Sequence, residues 1–457
     1  MAQVVDVGQL LDEQKFGWGQ IRIILLCFLM LFLDGIDNQG ISYVAPALTK
    51  AWHIERDALK GVFTLGVAGV AIGALIVGPL ADWLGRRPVV IATVTYFSLL
   101  TLAVAQATNL TELTVLRFLA GLGLGIVVPM AVVVSSEFAP KRMRGRMVTL
   151  ASCGYAIGAA SGGQLAAWII PLYGWQSVFY VGGIAPLFLV LAMLVWLPES
   201  VRLMALRPGT GARIARTLRG VNPALRFAPD TQFVVTNERT NKEFRVFQLF
   251  TENRTAITLL LWLIFFLNTT VLNLLNNWLP TLVDTTGLPQ QQALRVASML
   301  QFGGVIGVIS MGMLADRFGF FRVLATAFLV GGIFVGLIGS VGTSAYVLAA
   351  TIAVAGFCNV GCQITNAAMA ATLYPTNIRS TGVNWAHGVA RVFSMLGPYM
   401  GGVLLALHWP LQDIFFNFAA PLLIASLGIV ALSAVVKNGA REAAEPPGVP
   451  QVLAERT

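Results

Sequence analysis

The first long apolar stretch of the chain reads IRIILLCFLMLFLDGIDNQGISYVAPAL, and its middle holds two carboxylates, Asp34 and Asp37. Residues three apart on a helix share a face. A charge at the centre of a bilayer costs about 2.5–3.5 kcal/mol on insertion scales, so this face must look into protein or a wet cavity. Two acids held there repel each other, which suits one of them to hold a proton. A membrane acid that gains and loses a proton is a proton carrier. Two cations also fall inside apolar stretches, Arg117 in LTVLRFLAGLGLG and Arg391 in GVARVFSMLGP. Helix rise places Asp37 roughly 24 Å from one side of a ~30 Å core, and Arg117 roughly 8 Å from the other. The two therefore meet at similar heights. An Asp37–Arg117 pair is expected, either as a proton-coupling element or as a static ion pair between helices. Arg391 falls near the midplane with no acidic partner in its own half. An unpaired guanidinium attracts an anion and matches a carboxylate with two parallel hydrogen bonds. It can instead bind carbonyls at a broken helix. His387, one turn earlier, is a proton relay or makes a local hydrogen bond.

Neutral polar groups concentrate in the second half: Asn273, Asn276 and Asn277 before Trp278, then Gln301, Gln363 and Asn366. Amides bind a hydroxyl or a carboxylate without charge. Tyr155, Trp278, Trp385 and Tyr399 offer faces for a flat ring, although each alone fits packing or an interfacial anchor better. The four cysteines, Cys27, Cys153, Cys358 and Cys362, all lie in apolar runs and read as small packing residues. No metal site or organic cofactor is expected.

These groups sit in a chain of 457 residues that is 56% hydrophobic and only 11% charged. A soluble protein is about a quarter charged. Twelve apolar runs are long enough to cross a bilayer as helices: 21–47, 59–80, 88–107, 113–136, 146–170, 177–197, 255–283, 293–314, 321–341, 345–372, 381–406 and 413–436. Alternating strands of a membrane barrel are absent from the pattern. The net charge of +9 would suggest nucleic acid in a soluble chain. Here it sorts by side. With the N-terminus inside, only Lys50, Arg56, Lys60 and Arg295 fall on outside loops, as the positive-inside rule requires. The reading is a multi-pass protein of a bacterial-type inner membrane with both termini cytoplasmic. No cleaved leader is expected, because the first apolar run is too long and acids precede it.

An Arg-rich stretch at 198–254 divides the chain into a six-helix bundle at 1–197 and a second at 255–436, followed by a cytoplasmic tail at 437–457. The halves repeat. GPLADWLGRR follows the second span and GMLADRFGFF the eighth; EFAPKRMRGRMV precedes the fifth and TLYPTNIRSTGV the eleventh. Asp82 and Asp316 stand 234 positions apart, Arg144 and Arg379 stand 235 apart, and two motifs at nearly one offset indicate an internal repeat. Such repeats suit a transporter that rocks two bundles about a midplane site. In the first loop, Gly78 and Gly85 permit a tight turn, Asp82 can accept from a helix N-terminus, and Arg86 and Arg87 can pair with acids. With Glu137, Arg144, Asp316, Arg317 and Arg379 they form the expected gate on the inner face. The alternative is that they only end helices and set topology. GPLADWLGRR resembles the loop motif of the major facilitator superfamily, with Trp83 in place of the usual basic residue. Phe320 and Phe321 replace the basic pair in the second copy, which implies a weaker gate there. The resemblance implies twelve helices in two pseudo-symmetric bundles, with helices one, four, seven and ten lining the cavity.

LDGIDNQG narrows the resemblance. A D-G-x-D in the first span resembles the aromatic acid:proton symporters, as do LPESVRLM, NNWLPTLV and YPTNIRSTGVNWAHGVARVFSMLGP. That family implies transport dependent on the first-span acids and on buried arginines, which map onto Asp34, Asp37, Arg117 and Arg391. The expected activity is uptake of a small aromatic carboxylate with protons by a chain acting as a monomer in lipid. Tyr155, Asn276, Asn277, Gln301, Gln363, Asn366, Trp385, His387 and Arg391 are the candidate substrate contacts. Rivals are transport of a dicarboxylate, phosphate ester or sugar acid, drug efflux, and a membrane enzyme or receptor. The last lacks any nucleophile–base pair, metal cluster or phosphate loop in the sequence.

Overall fold

Backbone polar groups in lipid must bond within their own segment, so long apolar runs fold as helices. The computed structural model describes residues 4–14, 17–207, 209–221, 225–228, 231–234, 247–251, 254–342, 344–374 and 378–444. After a short strand β1 (Val4–Asp6) come α1 (Val7–Glu13), α2 (Trp18–Trp52), α3 (Lys60–Leu84), α4 (Arg86–Val104), α5 (Leu110–Phe138), α6 (Arg144–Tyr173) and α7 (Gln176–Trp196). The linker holds α8 (Val201–Ala205), α9 (Gly211–Val221) and β2 (Gln232–Val234). The second half holds α10 (Thr255–Asp284), α11 (Gln290–Phe318), α12 (Phe320–Ile338), α13 (Ala345–Leu373), α14 (Arg379–Phe393), α15 (Leu396–Ala406) and α16 (Leu411–Ala444).

By length and composition, eleven segments among the described residues qualify as membrane spans. The fifth expected span, α6, is the one below that threshold. It is 30 residues long, but Gly, Ala, Ser and Gln in GYAIGAASGGQLAAW lower its mean hydropathy. It lies between the halves, packed on both α2 and α11, and so needs small residues more than lipid-facing ones.

The repeat is visible in the packing. In the first half α2 packs on α6, α3 on α5 and α4 on α7; in the second, α10 packs on α14 and α15, α11 on α13 and α12 on α16. Glycines bring these pairs together. A Cβ on Gly158 would stand 1.9 Å from the Phe32 carbonyl oxygen, and one on Gly303 1.9 Å from that of Ala353. Gly85 and Gly319 end α3 and α11 with φ of 111° and 86°, a backbone that L side chains rarely adopt. Both copies of the loop motif therefore turn the chain in the same way.

The eleventh span departs from expectation. The run 381–406 reads as one helix, but the chain breaks between Phe393 and Leu396. Pro398 lacks an N–H and its ring would clash with the Ser394 carbonyl, four residues back. That carbonyl accepts from the Gly397 N–H at 3.1 Å instead. Several spans also outrun their apolar cores, α2 to Trp52 and α16 to Ala444.

The two halves meet unevenly. The side bearing the N-terminus and linker is the linker face, and the opposite side is the far face. One apolar core joins the halves toward the far face, including Leu48, Leu59 and Phe63 from the first half and Leu274, Trp278 and Leu279 from the second. A separate core, with Cys27, Leu31, Val127 and Met130, holds the first half together toward the linker face. β1 pairs in parallel with β2, and α9 buries Ile214, Leu218 and Val221 against the start of α2, so the linker packs on the first half.

Candidate functional site

Gly35 determines where the first-span acids sit. A Cβ there would lie 2.2 Å from the Tyr155 carbonyl oxygen, so only glycine lets α2 approach α6 this closely. Asp34 and Asp37 are thereby held inside the first half, each 1% exposed. Asp37 Oδ1 accepts from Thr101 Oγ1 of α4 at 3.1 Å and stands 3.6 Å from Arg117 Nη1 of α5. Arg117 lies over the Phe179 ring, 5.9 Å from its centroid. Among the described residues, Asp37 Oδ2 and both oxygens of Asp34 are buried without a hydrogen-bond partner. The pair matched by helix rise is thus formed. Arg391, expected to have no acidic partner in its own half, lies within electrostatic range of Asp34 and Tyr155 of the first half.

Beside this charged group lies a cavity of about 100 Å³. Its wall comes from both halves: Ser152, Cys153, Tyr155 and Ala156 of α6, Asn276 of α10, Gln301 and Val305 of α11, and Gln363 of α13. Ligand pockets usually run to roughly 300–1,000 Å³, so this space must enlarge before it holds a whole aromatic acid. Gln301 Nε2 donates to Asn276 Oδ1 at 2.8 Å. Cys153 is half-buried in the wall, unlike the buried Cys27, Cys358 and Cys362. Among the described residues, no group of His, Cys, Asp and Glu could hold a metal ion.

Tyr155, Asn276, Gln301 and Gln363 therefore share one cavity, while other candidates lie elsewhere. Asn277 donates to the Asn273 carbonyl at 2.7 Å, and Asn273 Nδ2 donates to Ser394 Oγ at 2.9 Å at the break between α14 and α15. Asn277 points about 100° around the helix from Asn276 and is absent from the cavity wall. Asn366 is buried, with both amide atoms unpartnered among the described residues, and is absent from the cavity wall. Trp385 stacks on Trp262, ring centroids 6.2 Å apart, and is absent from that wall. His387 meets the Phe265 ring edge-on at 4.9 Å, one turn from Arg391. Trp278 donates to the Pro398 carbonyl at 2.7 Å, a packing role.

On the linker face, Arg86 pairs with Glu137, and Arg144 pairs with Asp12. Arg202 also binds Asp12, at 3.1 Å. The acid at the start of α4 is Glu199, which accepts from the Arg86 and Arg87 backbone N–H groups at 2.9 and 3.3 Å. Asp82 was expected near a helix N-terminus; it and Gly78 lie in α3, but the Asp82 side chain falls outside the described residues, as does that of Arg379. Arg87 donates to the Leu194 carbonyl at 2.5 Å. Asp316 and Arg317 are exposed, and Arg317 lies over Phe318. On the far face, Asp284 at the end of α10 binds Lys50 at 3.0 Å and Arg56 at 3.4 Å, joining the halves. Gln164 of α6 donates to Ser298 of α11 at 2.8 Å and adds a second link.

The model of the Major Facilitator Superfamily matches residues 27–311 and 261–455. The chain belongs to the major facilitator superfamily. A 4-hydroxybenzoate transporter of Pseudomonas putida is 37% identical over 93% of this chain and 95% of its own length. A gallate transporter of the same species is 39% identical over the same shares of each chain. The crystal structure of a D-xylose-proton symporter superposes with a TM-score of 0.70 at 16% identity, over 90% of this chain and 97% of that one.

The chain is therefore a multi-pass membrane transporter of this superfamily, whose members are transporters and not enzymes. The cavity departs from the expected wall of spans one, four, seven and ten. It is lined by spans five, seven, eight and ten. Thr101, Phe179, Glu199, Asp12 and Asp284 escaped sequence reasoning. Only Asp284 had a local signal, an acid closing a span opposite two outside-loop cations.

Proposed function

We propose that this transporter imports a small aromatic carboxylate of the benzoate or hydroxybenzoate type by proton symport with alternating access. The observation that carries the reading is the sealed Asp37–Arg117 pair, with Asp34 beside it and within range of Arg391 on the other half. Relatives named for 4-hydroxybenzoate and gallate, both aromatic carboxylates, support the substrate class.

In this reading the linker face is cytoplasmic, in an inner membrane, and the chain works as a monomer. Residues 1–197 and 255–436 are the bodies that rock, and 198–254 joins them. The far-face links through Asp284 hold the outer path shut. When that path opens, Arg391 takes the substrate carboxylate, and the first-span acids take protons from outside. An aromatic carboxylate is an anion at neutral pH. An inside-negative potential opposes its inward movement by about 2.3 kcal/mol per 100 mV. One accompanying proton cancels that cost, and a second turns the potential into a driving force. Arg86, Arg87, Glu137, Arg144 and their partners close the linker face in the opposite phase.

The test is uptake of labelled 4-hydroxybenzoate by proteoliposomes with the outside acidic, with and without a protonophore. The reading expects gradient-dependent accumulation that benzoate-type acids inhibit, and that Asp34→Asn and Asp37→Asn abolish. Normal accumulation by both variants, or indifference to every aromatic acid, contradicts it.

A further inference from the structure

The cavity wall contains an amide pair with a defined remainder. Gln301 Nε2 donates to Asn276 Oδ1 at 2.8 Å, which uses one donor and one acceptor. The pair keeps Asn276 Nδ2 as a donor and Gln301 Oε1 as an acceptor, and neither makes a hydrogen bond among the described residues. Both retain accessible surface, whereas the unbonded amide atoms of Asn359 and Asn366 are sealed. Gln301 is only 2% exposed, so the surface it keeps belongs to the cavity that it and Asn276 line. If both amides turn over, the remainder is the same: one donor and one acceptor, side by side.

That remainder is the complement of a hydroxyl, which gives one hydrogen bond and accepts others. Leu272, Val305, Val308, Val360 and Ile364 supply apolar surface for a ring, and Thr149, Ser152, Tyr155 and Gln363 are the other polar side chains of the wall. Tyr155 stands on the same wall, within electrostatic range of both Asp34 and Arg391. We infer that Asn276 and Gln301 form a hydroxyl reader that selects ring-hydroxylated aromatic acids over benzoate. The inference rests on the proposed aromatic-acid transport and assigns its specificity to two residues of the second half. A site built to bond a hydroxyl penalises an analogue without one, because its own buried polar groups are left unpaired.

The experiment is calorimetric titration of the purified full-length protein with benzoate, 4-fluorobenzoate, 3-hydroxybenzoate and 4-hydroxybenzoate. The wild-type chain should bind one of the hydroxybenzoates at least about tenfold more tightly than benzoate or 4-fluorobenzoate. In Asn276→Leu and Gln301→Met that ratio should fall toward one. A wild-type ratio near one overturns the inference without any variant. So does a ratio that survives both substitutions, or an equal loss of every ligand, which marks the pair as structural. Binding of benzoate with flat ratios leaves aromatic-acid transport standing. If no aromatic acid binds the wild-type chain, both readings fall together.

Discussion

Removing each half of the Asp37–Arg117 pair, and then both, separates an ion pair that only holds helices from one that moves protons. At 3.6 Å, and with an effective dielectric of about 20, the gross attraction is about 4–5 kcal/mol. Desolvation of both groups offsets much of it, so the pair's net contribution is small. Stranding one partner is different, and typically costs about 3–5 kcal/mol. The two single variants should differ. Asp37→Asn keeps an acceptor for Thr101 and Arg117, and Phe179 still lies under the guanidinium, so its loss should fall at the low end. Arg117→Gln strands a carboxylate with an unbonded oxygen, so its loss should be larger at neutral pH. That carboxylate can neutralise itself by protonation, and the deficit should shrink as pH falls. The double variant Asp37→Asn/Arg117→Gln removes both charges and should regain most of the thermal stability, read by tryptophan fluorescence in detergent. It should still fail to accumulate substrate against a gradient. If the double variant recovers stability and proton-driven accumulation together, the pair is static and the coupling argument is wrong. If neither single variant loses stability, the electrostatic reasoning itself is wrong.

Gly158→Val should prevent α2 from seating on α6 and abolish stable expression, because its Cβ would meet the Phe32 carbonyl oxygen at 1.9 Å; Gly388→Ala, with nothing within 4 Å, should be tolerated. Cys153 should be the most readily alkylated of the four native cysteines, and saturating 4-hydroxybenzoate should slow its labelling several-fold, as measured by intact-mass spectrometry. Asp284→Ala removes the carboxylate that binds Lys50 and Arg56, so a cysteine introduced on the far-face side of the cavity should become more accessible to an impermeant thiol reagent.

Features governed by local chemistry were open to sequence reasoning. The spans follow from apolar length, and the turn glycines from the motif copies. Even the Asp37–Arg117 contact follows from rise per residue, because two spans entering from opposite sides place those residues at one depth. Features governed by helix rotation and long-range meeting were not. Nothing local says which of Asn276 and Asn277 faces inward, since packing of α10 on its neighbours decides it. Glu199 reaches the start of α4 from 113 positions beyond Arg86, so the acid inside the motif, Asp82, looked the better candidate. The acid within electrostatic range of Arg391, Asp34, belongs to the first half, so no reading confined to the second half finds it. The break before Leu396 was readable, since Pro398 marks it, but the surrounding apolar run outweighed a single proline.

The central claim is that substrate and proton move together through the first-span acids. Its most direct measurement is proton influx into proteoliposomes holding a pH-sensitive dye, started by adding 4-hydroxybenzoate outside at equal pH, against protein-free vesicles. The account predicts substrate-triggered acidification by the wild-type chain and none by Asp34→Asn or Asp37→Asn. Substrate uptake by the wild-type chain with no accompanying acidification would contradict it.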